Sequence, residues 1–379
     1  MITDLETIFT AIIGSMLISF ALAFPIIYLL YRFGIRRNHS SDYTTLIDSV
    51  NSKTGVPVMG GIIVIITVVF VNLVFSPFRS NDGLLLLIFI FILSAILGGI
   101  DDYMNIKTFK RSNPRALSRT ILLMKVHKSK LTRIKLILTF PWEVYKRFFF
   151  ILGSNPGNGI QAHEKVLVQT VTGLALGFGL FSYSPRVNPG EFWVPIFDFN
   201  LDIGFLIIPF ALITVLLMTN AVNISDGMDG LSSSLLMPSF FGFLIIAILQ
   251  GDMRVAFLIA TVIGSLTSYL YFNIPPARFE MGDVGSLALG SLLAGVAFIL
   301  EQPLMLLIMA FPFVITLLSS VIQGLGRRLL GRRIFRMAPL HYHLQMKHNW
   351  SEEKVVMRLA LLGFVSVMVG LWIYIGQGL

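Results

Sequence analysis

Apolar residues in this chain run in long blocks separated by polar connections; they neither alternate nor recur on one helix face. A helix crossing a bilayer needs roughly 20 mostly apolar residues. Ten stretches approach or meet that length: Ile8–Tyr31, Val56–Ser76, Leu84–Ile100, Lys165–Tyr183, Phe205–Ala221, Leu231–Gln250, Val255–Ile274, Val284–Leu300, Pro303–Leu325 and Val355–Ile375. They predict an all-α integral membrane protein of ten transmembrane helices, forming one membrane domain over residues 1–379. The first stretch is too long for a signal-peptide core and has no basic segment before it, so it reads as a retained helix. Within the connection Ser184–Gly204, the alternation Glu191-Phe-Trp-Val…Phe197-Asp-Phe predicts a small surface hairpin. No internal repeat stands out.

Charge orients the spans. Loops after the odd-numbered spans, with their flanks, carry Arg32, Arg36, Arg37, Lys53, Arg278, Arg327, Arg328, Arg332, Arg333, Arg336, Lys347, Lys354 and Arg358. The opposite side carries only Arg79, Arg186 and Arg254. Short cytoplasmic loops collect Lys and Arg. The odd-numbered loops are therefore predicted to be cytoplasmic and both termini extracytoplasmic.

Composition agrees. Of 379 residues, 55% are hydrophobic and 13% charged, which excludes a soluble globular enzyme and a disordered chain. Lys and Arg number 29 against 20 Asp and Glu. The resulting excess of +9 is explained by membrane sidedness without a nucleic-acid partner. With no Cys there is no disulfide, thiolate nucleophile or Cys-bound metal. The segment 105–159 is basic and mixes Lys and Arg with Ile, Leu, Phe and Trp142, in apolar runs too short to span. Such a mixture suits helices lying on a membrane surface, with a solvated basic linker as the plain alternative.

Charged groups at the ends of membrane helices are costly to desolvate and mark candidate sites. Here they gather on the predicted cytoplasmic side. Asp101 and Asp102 end the third span; Asn223, Asp226 and Asp229 follow the fifth in Asn223-Ile-Ser-Asp-Gly-Met-Asp-Gly. Asp283 follows the seventh in Met281-Gly-Asp-Val-Gly-Ser, His341 and His343 follow the ninth, and Lys53 precedes the second. Singly, each has an ordinary reading: an Asp pair as a solvated cap, Asp-Gly-x-Asp-Gly as a turn, Lys53 as a sidedness charge. His341 and His343 are two apart and do not share a helix face. Together, carboxylates suit Mg²⁺ completed by water and substrate phosphates, and Lys and His suit phosphate oxygens.

In this order, these strings resemble the polyprenyl-phosphate N-acetylhexosamine-1-phosphate transferase superfamily. Pro57-Val-Met-Gly-Gly and Arg333-Ile-Phe-Arg-Met-Ala-Pro-Leu-His-Tyr-His resemble its phospho-N-acetylmuramoyl-pentapeptide transferase (MraY-type) branch. The resemblance implies ten spans, a cytoplasmic active-site cleft, Mg²⁺ dependence and often a homodimer, in a bacterial cytoplasmic (inner) membrane. It implies transfer of phospho-MurNAc-pentapeptide from UDP to undecaprenyl phosphate, giving lipid I and UMP in peptidoglycan synthesis. Carried over, Asp283 with Asp226 would hold Mg²⁺, and Asp101 and Asp102 would position and deprotonate the lipid phosphate. A covalent aspartyl route is the alternative. Asn223, Asp226, Gly227, Met228 and Asp229 would line the uridine and diphosphate site with Lys53 and Lys165, and His341 and His343 would meet phosphates or sugar. Phe279, Glu280 and Gly282 are the remaining binding candidates.

Departures fall on the details. Tyr342 stands between two histidines where the family has three, and Val56 and Val58 replace two threonines. Glu280 stands where the family commonly has a Phe against uracil, so either Phe279 supplies the ring or the nucleotide is held differently. A sister transferase loading another UDP-N-acetylhexosamine phosphate is the nearest alternative function. A transporter or flippase is the distant one, since acids crowd one rim instead of the midplane.

Overall fold

The computed structural model describes residues 2–36, 55–78, 81–106, 117–127, 129–151, 162–183 and 190–377. Lys53 and the stretches 107–116 and 152–161 of the basic segment lie outside them.

Helices dominate. In chain order they are α1 (Ile2–Arg32), α2 (Ile62–Val74), α3 (Asp82–Ile106), α4 (Leu117–Val126), α5 (Lys130–Ile151), α6 (Ala162–Tyr183), α7 (Ile207–Ser225), α8 (Leu231–Leu249) and α9 (Met253–Asn273). After these come α10 (Gly282–Ile299), α11 (Leu306–Met309), α12 (Phe311–Leu329), α13 (Leu340–His348) and α14 (Glu352–Gln377). Among the described residues eight helices are long and apolar enough to cross a bilayer, or nine if the bent pair α11–α12 counts as one. This is a multi-pass membrane protein.

Two of the predicted spans take a different form. Val56–Ser76 becomes a 13-residue helix, α2, about 20 Å long at 1.5 Å per residue. Its N-terminal part is not helical because residues 57–61 pair with the chain beside Asp283. Glu280 N–H donates to the Pro57 carbonyl (2.8 Å), Gly60 N–H to Glu280 (2.8 Å) and Gly61 N–H to Met281 (3.0 Å). The stretch Pro303–Leu325 bends by 84° between α11 and α12. Pro312 enters at the first turn of α12, where a proline starts a helix but cannot continue one from before it.

At the centre stand α9 and α10, each with 83% of its most apolar window buried by protein, whereas α1 has 17%. Apolar residues all round α9 and small residues along α10 suit that central position, since Gly, Ser and Ala let helix backbones approach. The largest helix pairings are α10 with α3 and α7, α1 with α9, and α6 with α7. The hairpin expected near Glu191 is present: β1 (Glu191–Val194) runs antiparallel to β2 (Phe199–Asp202), with Glu191 opposite Asp202. The expected basic segment contains α4 and α5, which pack on one another.

Candidate functional site

The acids that close α3, follow α7 and open α10 converge at one end of these helices. Gly98 allows this. A Cβ at that position would lie 2.1 Å from the Asp283 carbonyl oxygen, so α3 and α10 touch through backbone. The last turns of α3 then bring Asp102 beneath the first turn of α10. Its carboxylate accepts the N–H groups of Asp283 (3.1 Å) and Val284 (3.0 Å), a side-chain cap for amides that α10 cannot satisfy internally. Gly282 makes the entry turn with φ +73°, and a Cβ there would lie 2.5 Å from Asp102 Oδ2. Only glycine fits both demands.

Asp283 is engaged on both oxygens. Oδ2 accepts the Lys165 ammonium at 2.5 Å and Oδ1 accepts the Asn223 amide at 2.6 Å. The same Asn223 amide reaches Ser286 Oγ at 2.9 Å. Lys165 also pairs with Asp101, whose other oxygen accepts the Asn105 amide at 3.2 Å. One ammonium thus bridges two carboxylates from α3 and α10. Asp101 and Asp102 are 1% and 5% exposed, while Asp226 and Asp283 are only partly buried.

The Asp226–Asp229 turn abuts this cluster. Asp226 Oδ2 accepts Gly282 N–H at 3.2 Å and Oδ1 accepts Ser232 Oγ at 2.7 Å. Asp229 Oδ2 accepts Ala277 N–H at 3.1 Å, and its own N–H donates to Glu352 at 2.7 Å. Met228 is buried. On the far side stands α13. Tyr342 donates its hydroxyl to the Gly227 carbonyl at 2.8 Å, and a Cβ on Gly227 would come within 3.0 Å of His341 Nε2.

The two histidines part. His341 is fully buried against that turn, while His343 turns to the loop before α13, where its Nδ1 accepts Arg336 N–H at 3.2 Å. Partial burial lowers the His343 pKa below its ordinary value, and Lys347, His348 and Arg336 add to the effect.

The structure thus gathers Asp101, Asp102, Lys165, Asn223, Asp226, Gly282 and Asp283 into one cluster, with Gly227, Met228, Asp229 and His341 beside it. Phe279 lies in the core, its ring 5.1 Å from Tyr269 and 6.1 Å from Phe272. Glu280 spends its backbone on Pro57 and Gly60 and is itself largely buried. Sequence reasoning missed Asn105, Ser232, Ser286 and Glu352. Asn105, four residues after Asp101 on one helix face, had a spacing signal. Glu352, 123 positions from Asp229, had none.

Hard oxygen donors around a bound ammonium suit a divalent cation and phosphate. Among the described residues no three His, Asp or Glu side chains form a closed metal cage. The two partly exposed acids, Asp226 and Asp283, nevertheless fit magnesium, which commonly uses one or two protein carboxylates and keeps water and phosphate for the rest.

Residues 157–301 match the family model described as glycosyl transferase family 4. The chain is 32% identical to a phospho-N-acetylmuramoyl-pentapeptide-transferase of Leptospira biflexa, over 98% of this chain and 91% of the relative. It is 31% identical to one from Staphylococcus saprophyticus (85% and 86%) and 29% identical to one from Clostridium novyi (94% and 95%).

Proposed function

Because this chain belongs to the phospho-N-acetylmuramoyl-pentapeptide-transferase family, we infer that it is a membrane-embedded transferase making lipid I. It transfers phospho-MurNAc-pentapeptide from its UDP carrier to a polyprenyl phosphate, releasing UMP. The observation that carries this reading is likeness along nearly the whole chain to a relative of that name.

In this reaction an oxygen of the lipid phosphate attacks the phosphorus attached to the sugar. A new P–O bond forms, the P–O bond to UMP breaks, and UMP leaves with the electron pair. One pyrophosphate replaces another, so catalysis consists of aligning two anions and neutralising them. Lys165 is our candidate for phosphate binding, with Asp101 and Asp283 holding its ammonium at the site. Asp101 takes the proton from the lipid phosphate. Asp102, with both oxygens on backbone amides, acts as a positioning residue for the first turn of α10. Asp283 and Asp226 would hold Mg²⁺, which would supply charge neutralisation on the diphosphate. The Asp226–Asp229 turn, His341 and Tyr342 form the nucleotide-sugar side. With Phe279 buried, the uracil is held by groups other than its ring.

The lipid is undecaprenyl phosphate in this reading, and the enzyme works as a homodimer in the bacterial inner membrane. Ten spans, with α2 and the bent α11–α12 counted, leave both termini extracytoplasmic and the cleft open to the cytoplasm. The Lys and Arg distribution along the loops supports that orientation.

The test is UMP release by purified protein given undecaprenyl phosphate and either UDP-MurNAc-pentapeptide or UDP-GlcNAc. Turnover of the first substrate is expected. Product from UDP-GlcNAc alone would reassign the enzyme to a sister transferase.

A further inference from the structure

The helical pair α4–α5 stands apart from the rest of the molecule in chemistry. Residues 117–151 carry eight Lys and Arg against a single acid, Glu143. Neither helix qualifies as a membrane span. Yet α5 leaves large apolar side chains exposed: Leu131 is 82% exposed, Leu138 75% and Ile134 56%. Positions 131, 134, 138 and 142 follow helical spacing, so these residues form one stripe ending at Trp142, also exposed. Lys135 lies along one edge of that stripe, with Lys146 beyond it paired to Glu143 at 2.6 Å, and Lys130 lies along the other. An apolar stripe flanked by long basic side chains is the design of a helix lying in the plane of a bilayer surface, where lysine stems reach headgroups.

The position of the pair fits. The segment joins the end of α3 to the start of α6, two membrane-crossing helices that pack together. It is seated at the start of α6: Tyr145 donates its hydroxyl to the His163 carbonyl at 3.0 Å, and the Trp142 ring meets the His163 ring edge-on at 5.3 Å. His163 is two residues before Lys165. The stripe is therefore at the boundary where both spans meet water, with a basic rim.

We propose that α4–α5 is an amphipathic platform that docks on the bilayer surface by binding anionic phospholipid headgroups, seated beside the entrance of α6 through Tyr145 and Trp142. Its occupant is bulk anionic lipid, chosen by charge complementarity: each basic group near such a surface strengthens attachment by about fivefold (~1 kcal/mol). The proposal is independent of the transferred group.

The test uses the full chain reconstituted in phosphatidylcholine and in phosphatidylcholine–phosphatidylglycerol bilayers, with hydrogen exchange read over α4–α5. Stronger protection of 130–147 in the anionic bilayer is expected, along with quenching of Trp142 by brominated acyl chains in a variant whose other tryptophans are Phe. The variant Leu131→Glu/Leu138→Glu, altered only at exposed positions, should lose both signals. Lys135→Gln should lower the lipid-dependent protection by about fivefold. UMP release, measured alongside, reports on folding of the remainder. Exchange equal in both bilayers, or protection unchanged by Leu131→Glu/Leu138→Glu, would overturn the proposal and point to a protein-covered surface. Full exposure in anionic bilayers would also overturn it, in favour of a solvated linker.

Discussion

Asp102 and Asp283 stand 181 positions apart, yet the carboxylate of the first caps the backbone amide of the second at 3.1 Å and that of Val284 at 3.0 Å. The acid at the end of α3 therefore sets where α10 begins, and with it the direction in which Asp283 leaves the backbone. Two adjacent aspartates divide the work: Asp102 faces amides, while Asp101 faces Lys165.

Asp102→Ala would leave those two amides without their acceptor in a buried turn, a loss of about 2 kcal/mol. Asp102→Asn keeps one carbonyl oxygen and should lose about half as much. Thermal midpoints of the purified variants in one detergent give the comparison. An unchanged midpoint for Asp102→Ala would remove the capping role.

Lys165→Met would leave Asp101 and Asp283 facing one another with no shared ammonium. Breaking such a pair costs up to ~3 kcal/mol here, the lower end of the buried range because a quarter of Lys165 remains exposed. UMP release should fall by at least ~100-fold, and Lys165→Arg should recover part of it by restoring charge. Wild-type turnover in Lys165→Met would show that the ammonium only balances structural charge.

For the proposed metal, EDTA should stop UMP release and added Mg²⁺ or Mn²⁺ should restore it. Asp283→Asn keeps the shape but not the charge, so it should abolish turnover. It should also weaken Mn²⁺ binding read by electron paramagnetic resonance. Full activity in metal-free buffer would contradict the assignment.

Gly98→Ala tests the backbone contact between α3 and α10. The added methyl would sit 2.1 Å from the Asp283 carbonyl oxygen. Two packed helices must separate to admit it, at about 1–3 kcal/mol. Activity should fall more than stability, because the displaced turn carries Asp283. Equal activity to wild type would mean that the site tolerates a wider crossing.

The pH dependence of stability has a predictable sign at His343. Burial and its positive neighbours lower its pKa in the fold, so the unfolded chain takes up the proton first as pH falls through about 6.5. Between the unfolded and folded values the unfolded state carries more protons, and stability rises with pH. His343→Gln should flatten that acid limb of the thermal midpoint, scanned from about pH 7 to about pH 5. An unchanged slope would place the dependence on other groups.

The sequence by itself determined the medium, most of the spans and the family. Hydropathy is a local property, and a block such as Leu231–Gln250 has few alternatives to crossing a bilayer. The strings around Asp226 and Asp283 carried the family resemblance because close backbone approach and carboxylate placement leave a short, readable imprint. Tertiary structure decided the rest. Nothing within Val56–Ser76 says that its first residues pair with Glu280 and Met281 instead of coiling into helix, and hydropathy does not register the 84° bend before Pro312. Phe279 reads as a candidate ring for a ligand, but Tyr269 and Phe272 enclose it in the core. Lys165, Asp101, Asn223 and Asp283 are polar groups at the ends of separate helices, and each sequence window reports only its own. Which of them share an ammonium depends on helix packing, and that packing rests on contacts such as Gly98 against Asp283. The physical reason is the same throughout: burial in an apolar medium is written residue by residue, while compensation of buried charge is a pairing between distant parts of the chain.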